Sequence, residues 1–177
     1  TLATDGALSV KGSSLTSKGE MNVRGGQDIT LTHATVGSDA RTTVTSGGTL
    51  TASDSAIAAG GDLTLSGAGL TLNGQSRADA SGNIALSGNT MTHQGQVNAG
   101  KDVTITGKNV VNSGQLAAKG KFSAQTDSLT NSGTLQGNDV TLQGRTLTNS
   151  GAVQSGGQLT VNADTLNQHG TLSTKGD

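Results

Sequence analysis

The side chains able to do acid–base or metal chemistry are few and regularly spaced. Twelve acidic residues are balanced by eleven Lys and Arg, with three histidines and no cysteine. Asp62, Asp102 and Asp139 form one spaced series of carboxylates, and Asp127 and Asp164 form another. Two carboxylates at the right separation could run glycoside hydrolysis. His33, His93 and His169 could ligate a metal if the fold brought them together. Asn112, Asn131 and Asn149 carry amides that could recognise sugar hydroxyls. Without cysteine there is no disulfide, thiolate catalysis or cysteine–zinc site. Which of these chemistries is open depends on the elements that position the residues.

Those elements repeat. The first apolar residue of each unit falls at Leu63, Ile84, Val103, Phe122, Val140 and Leu159, at intervals of 21, 19, 19, 18 and 19. Seven residues later stand Leu70, Met91, Val110, Leu129, Leu147 and Leu166, and eleven later Gly74, Gly95, Gly114, Gly133, Gly151 and Gly170. A third apolar residue follows at Val97, Leu116, Leu135, Val153 and Leu172. Such offsets fit a solenoid, in which each unit makes one turn and stacks on the last.

Each unit opens with an alternating strand, as in Val103-Thr104-Ile105-Thr106 and Leu159-Thr160-Val161. Period-two alternation with β-branched residues predicts strand, with Val103 and Ile105 inward and the threonines outward. A second strand carries Val110, Leu129, Leu147 and Leu166. A bend follows, written Asn-Ser-Gly at Asn112, Asn131 and Asn149, whose glycine is expected to supply a positive φ. A third short strand centres on Leu116, Leu135 or Val153. Three strands in about 19 residues leave no room for helices. The expected fold is all-β, a right-handed parallel β-helix of about nine turns, stacked about 4.8 Å apart.

Composition agrees. Only 31% of residues are hydrophobic, and Phe122 is the single aromatic, too little for an ordinary globule but enough for a narrow solenoid core. Low hydrophobicity can also mean disorder; fixed offsets and a charged fraction of 13% argue against it. A net charge of −1 argues against nucleic acid, which demands a basic surface. No apolar run approaches the roughly 20 residues of a membrane-spanning helix. The start at Thr1-Leu2-Ala3 predicts an interior segment of a longer protein.

Equivalent positions should form columns along the rod. Lys108, Asp127, Arg145 and Asp164 alternate in sign, as expected of a register device, since stacked like charges repel. Lys121 stands between Asp102 and Asp139, and Arg145 between Asp127 and Asp164, so no catalytic carboxylate pair is evident. His93 and His169 should lie about 19 Å apart by four rises, so all three histidines read as surface turn residues without a shared metal. The asparagine column, preceded by His93 and continued by Gln168, reads as an amide ladder or as a sugar-binding strip. Thr30-Leu31-Thr32 and Thr104-Ile105-Thr106 resemble a local ice-binding array, broken in other units by Ser66, Ser87, Gln125, Gln143 and Asn162.

The chain reads as one domain over residues 1–177, with 1–62 less regular and 63–177 regular. Leu8, Leu15, Gly19 and Met21 repeat the offsets of a unit, and Ile29 and Val36 keep the first of them. Between Val36 and Leu63 the register is open, with Val44 or Leu50 as the opening residue and Ile57 second or third. A bulge or a changed cross-section is expected there. Arg77, Ala78, Asp79 and Ala80 are expected to lengthen one turn and project as a receptor-contact loop.

Gly137-Asn138-Asp139-Val140-Thr141-Leu142 followed by Leu147-Thr148-Asn149-Ser150-Gly151-Ala152-Val153 resembles the haemagglutinin repeats of filamentous haemagglutinin-type exoproteins. The phrase recurs at Val103 to Leu116 and Leu129 to Leu135, and the likeness covers residues 63–177 well and 1–62 loosely. This family includes adhesins and contact-dependent growth inhibition toxins of two-partner secretion systems. The resemblance implies a large Gram-negative surface protein, secreted unfolded through an outer-membrane two-partner transporter and folding outside as a filament. The chain would then be a structural shaft, not an enzyme, needing no cofactor. The alternative is a segment that itself contacts a cell-surface receptor or glycan. A β-helical polysaccharide-degrading enzyme lacks its carboxylate-lined groove here.

Overall fold

In the computed structural model, which describes residues 1–176, every regular element is a strand. The strands form a parallel β-solenoid with one sheet of thirteen strands and one of nine. Each turn contributes one strand to the nine-stranded sheet, so the rod has nine turns. Alternation drives this arrangement. Along Leu63–Ser66 and Val103–Thr106 the apolar residues point inward and the Thr and Ser outward.

Three apolar columns run through the rod. The first face stacks Met21, Thr42, Leu63, Ile84, Val103, Phe122, Val140 and Leu159. On the second stand Leu8, Ile29, Leu50, Leu70, Met91, Val110, Leu129, Leu147 and Leu166. Leu15, Val36, Ile57, Ala78, Val97, Leu116, Leu135, Val153 and Leu172 form the third. A fully buried Leu or Ile contributes about 1.5–3 kcal/mol. Exposed ion pairs contribute at most about 1 kcal/mol each, so the columns hold the rod together.

The first third departs from the sequence expectation. Leu8 and Ile29 do not open turns but belong to the second face. Between Val36 and Leu63 there is no bulge: Thr42–Ser46, Thr49–Ser53 and Ala56–Ala59 form a complete turn in register. Leu50 is its second core residue and Ile57 its third. The opening core position is Thr42, fully buried, whose hydroxyl donates to Ala58 O at 2.8 Å and lies 2.9 Å from Ser38 Oγ. A satisfied buried hydroxyl takes the place of a hydrocarbon, so an apolar pattern cannot find it.

The cross-section changes further along. Stacked first-face partners are 21 residues apart from Met21 to Ile84, then 19 apart to Phe122, 18 to Val140 and 19 to Leu159. From Ile84 onward the first two strands of each turn run together as one strand of 10 or 11 residues. The three short strands expected per turn therefore hold for the early turns only. In the 18-residue step, Gly137 makes room for Phe122, because a Cβ there would lie 2.9 Å from Phe122 Cβ.

Candidate functional site

The feature that organises the rod is a corner between the second and third faces. One inward column at this corner reads Val10, Leu31, Ala52 and Leu72 in the early turns. It continues as His93, Asn112, Asn131, Asn149 and Gln168. Asn112, Asn131 and Asn149 are buried, which removes the sugar-binding alternative for them. Their amides form a one-way chain. Asn112 Nδ2 donates to Asn131 Oδ1 at 2.7 Å, Asn131 Nδ2 to Asn149 Oδ1 at 2.8 Å, and Asn149 Nδ2 to Gln168 Oε1 at 3.0 Å. The same amides reach Gly114 O, Gly133 O and Gly151 O within their own bends, and Asn112 Oδ1 accepts from Gly114 N–H at 3.2 Å.

His93 starts the chain. It is buried, not a surface turn residue, because it stacks on Leu72 beneath the first amide. Its Nδ1 lies 2.7 Å from Asn112 Oδ1, an acceptor, so the proton sits on Nδ1. Nε2 has no partner among the described residues. Burial lowers its pKa below the usual histidine value, partly offset by the bond to Asn112. The ring thus has a donor for the ladder and a bare face for the apolar column.

The turn glycines follow from the same corner. Left-handed φ was expected throughout, but Gly74 alone of the six has it, at +59°. The others are needed for close approach. A Cβ on Gly95 would meet Ser76 O at 2.0 Å, and on Gly114, Gly133, Gly151 and Gly170 the carbonyl of the glycine or neighbour beneath at 2.2, 2.0, 2.1 and 2.0 Å. The column continues below Gly95 through Ser76, not Gly74. Gly74 belongs to a separate left-handed column with Gly12, His33 and Asp54, at φ of 57°, 49° and 49°. The two extra residues of that turn therefore lie in the Asn73–Ser76 bend.

Arg77–Ala80 is accordingly not a loop. It is a strand of the nine-stranded sheet, paired with Ala56–Ala59 on one side and Gln96–Ala99 on the other. Ala78 and Ala80 are buried; Arg77 and Asp79 point outward and approach each other at 3.5 Å.

The charged columns do something other than expected. Lys108, Asp127, Arg145 and Asp164 stack in order and are exposed, but form no ion pair among the described residues. In the other series each side-chain oxygen accepts a backbone N–H from the next turn: Asp62 from Asn83 at 2.8 Å, Asn83 from Asp102 at 3.2 Å, Asp102 from Lys121 at 2.7 Å and Asp139 from Gln158 at 2.9 Å. Asp28 and Asp54 do the same for Thr49 and Gln75. Alternation of sign drew attention to Lys121, whereas the recurring signal was Asp or Asn just before a strand.

Among the described residues no three His, Cys, Asp or Glu could hold a metal ion together. His33 lies 3.9 Å from Asp54 on the surface, far along the chain from His93 and His169. A shallow groove runs along the third face past Asn98, Ala117, Lys119, Gln136 and Gln154. A family model described as Haemagglutinin repeat matches residues 1–90, 79–154 and 154–177. The chain belongs to the haemagglutinin repeat family. No curated protein and no solved structure matches it. Membership extends over the early turns, where the likeness in sequence is loose, and accords with the unbroken stacking of this haemagglutinin-repeat rod from Leu2 to Thr174.

Proposed function

We propose that the chain is a shaft segment of a large secreted bacterial surface protein, an adhesin or a contact-dependent growth inhibition toxin. The shaft holds a binding or toxic domain away from the cell, and the parent protein leaves through an outer-membrane two-partner transporter. The observation that carries this reading is the uninterrupted stacking of three core columns through every turn, kept even where the turn shortens. A spacer needs that continuity and needs no pocket.

The competing reading is receptor or glycan recognition by this stretch itself. Pairing of Arg77–Ala80 on both edges supports the shaft, because no loop projects there. The test is binding of the labelled, folded chain to intact bacterial and mammalian cells. A shaft gives no saturable binding. Saturable binding would replace the shaft with a recognition segment, and Arg77 and Asp79 would then be the first residues to substitute.

A further inference from the structure

Where the rod narrows, the Gly74 peptide nitrogen is uncovered. In the left-handed column, Gly12 N–H donates to Thr32 O at 2.9 Å and His33 N–H to Ser53 O at 3.0 Å, each bonding the turn that follows. Gly74 is the last member. The next turn goes from Met91 to Val97 without that corner, and Gln94 N–H returns to Leu72 O. Gly74 N–H has no acceptor among the described residues, and neither has Asp54 N–H, the member of the column beneath it. Gly74 is exposed and has no side chain to shield it, and a Cβ would collide with Asp54 Oδ1 at 2.3 Å. The residue before it is Asn73, in the only Asn-Gly dipeptide of the chain. Asn73 is partly exposed, and its Nδ2 is tethered only by a long 3.5 Å contact to Ser53 Oγ.

We propose that Asn73-Gly74 is a self-modification site, at which the folded rod loses an amide by imide formation. The free Gly74 nitrogen attacks Asn73 Cγ. A C–N bond forms, the Cγ–Nδ2 bond breaks, and Nδ2 leaves as ammonia with the proton from the Gly74 nitrogen. Water then opens either carbonyl of the five-membered imide, giving aspartate or isoaspartate. No oxidant, metal or enzyme is required. The ladder asparagines are an internal control. Asn112, Asn131 and Asn149 are also followed by a small residue, but Ser113, Ser132 and Ser150 N–H donate to His93 O, Asn112 O and Asn131 O, each at 2.8 Å. Their Nδ2 groups are held by the ladder. The product puts a carboxylate beside Ser53, the strand partner of Asn73. In the isoaspartyl form it also adds a backbone carbon at the bend closed by Ser76 N–H to Asn73 O.

The experiment incubates the folded chain at mildly alkaline pH and maps amide loss by peptide mass spectrometry. Isoaspartate is detected with an isoaspartyl-specific methyltransferase and a labelled methyl donor. The expected result is amide loss and label at Asn73, with Asn112, Asn131 and Asn149 intact. In a folded Asn73→Gln variant the label disappears. Retention of the Asn73 amide in the folded chain, while the urea-unfolded chain loses it, would overturn the proposal. So would equal reaction of the ladder asparagines, because the uncovered nitrogen would then select nothing.

Discussion

Replacing Asn131 with leucine should cost nearly as much as replacing Asn112, Asn131 and Asn149 together. Leucine keeps the branched heavy-atom shape of the asparagine side chain and removes its donor and acceptor. The cost lies in what the amide leaves behind. Asn131→Leu strands the Asn112 Nδ2 hydrogen that had been donated to it at 2.7 Å, the other remaining with Gly114 O, and strands Asn149 Oδ1, which had accepted from it at 2.8 Å. A buried polar group without its partner costs about 1–3 kcal/mol, so two of them cost about 2–6 kcal/mol. Replacing all three asparagines also strands two groups inside the rod, His93 Nδ1 and Gly114 N–H, and frees Gln168 Oε1, which is exposed to water. Gly114 O, Gly133 O and Gly151 O keep backbone partners in Thr134, Ala152 and Thr171 N–H, at 2.9, 2.8 and 2.8 Å. Urea unfolding followed by far-ultraviolet circular dichroism measures both variants. The expectation is a single loss of about 2–6 kcal/mol in each. A loss for the threefold variant near the sum of the three single variants would refute the idea that the ladder's cost sits at its broken ends.

Gly133→Ala should lose about 2–4 kcal/mol, because its Cβ would sit 2.0 Å from Gly114 O and must part the turns there. Thr141→Ser, outward on the first face, should stay within about 0.5 kcal/mol, and equal unfolding midpoints for the two would contradict the assigned register. His93 is buried neutral and its folded pKa is lowered, so the unfolded chain binds the proton more tightly. Stability is therefore full above about pH 6.5 and falls as the pH drops below it toward the folded pKa. His93→Asn, which can still donate to Asn112, should flatten that acid limb in urea midpoints measured across the range; an unchanged limb would exclude His93 as its source. Asp102→Asn should leave stability unchanged, as Asn83 already accepts the amide above it, whereas Asp102→Ala should lower it by about 1 kcal/mol. Equal losses in both would mean that the charge, not the accepted hydrogen bond, matters.

The regular later turns were legible because their inward positions are apolar and recur at nearly constant spacing. The early turns were not, because the core position at Thr42 is a threonine and the offsets between faces differ. Met21 to Ile29 spans eight residues where Ile84 to Met91 spans seven, so an apolar offset of seven locks onto the wrong face at Leu8. The asparagine column could be placed by register, but not its burial, since amides are found in cores and on surfaces alike. His93 read as a surface residue for the same reason. The glycines were found by position and misjudged in cause: sequence shows where a side chain is excluded, not whether φ or a neighbouring carbonyl excludes it.

The amide ladder is a consequence of the tighter corner, and that explains why the two features begin together. In the early turns two further residues carry the chain round through a left-handed position, leaving space inside for Leu31 or Leu72. There the corner amides of Ala34 and Ser55 are met by Ser55 Oγ and Ser76 Oγ, at 3.1 and 3.3 Å. Once those two residues are gone, the bend must pass close over the turn beneath, which only glycine permits at Gly95, Gly114, Gly133, Gly151 and Gly170. Close passage brings peptide groups into the core at the corner, and buried peptide groups need partners. The residue two positions before each glycine is the one aimed at them, and an amide offers both the acceptor for Gly114 N–H and the donor for Gly114 O. A hydrocarbon there would leave Gly114 N–H without an acceptor, since only Gly114 O has a second partner, in Thr134 N–H; aspartate would place a charge where water cannot reach. Once one asparagine is committed, its remaining donor and acceptor require another amide above and below, so the choice propagates until a residue ends it. His93 ends it on the side of the wide turns, with one nitrogen for the amide and a ring face for Leu72.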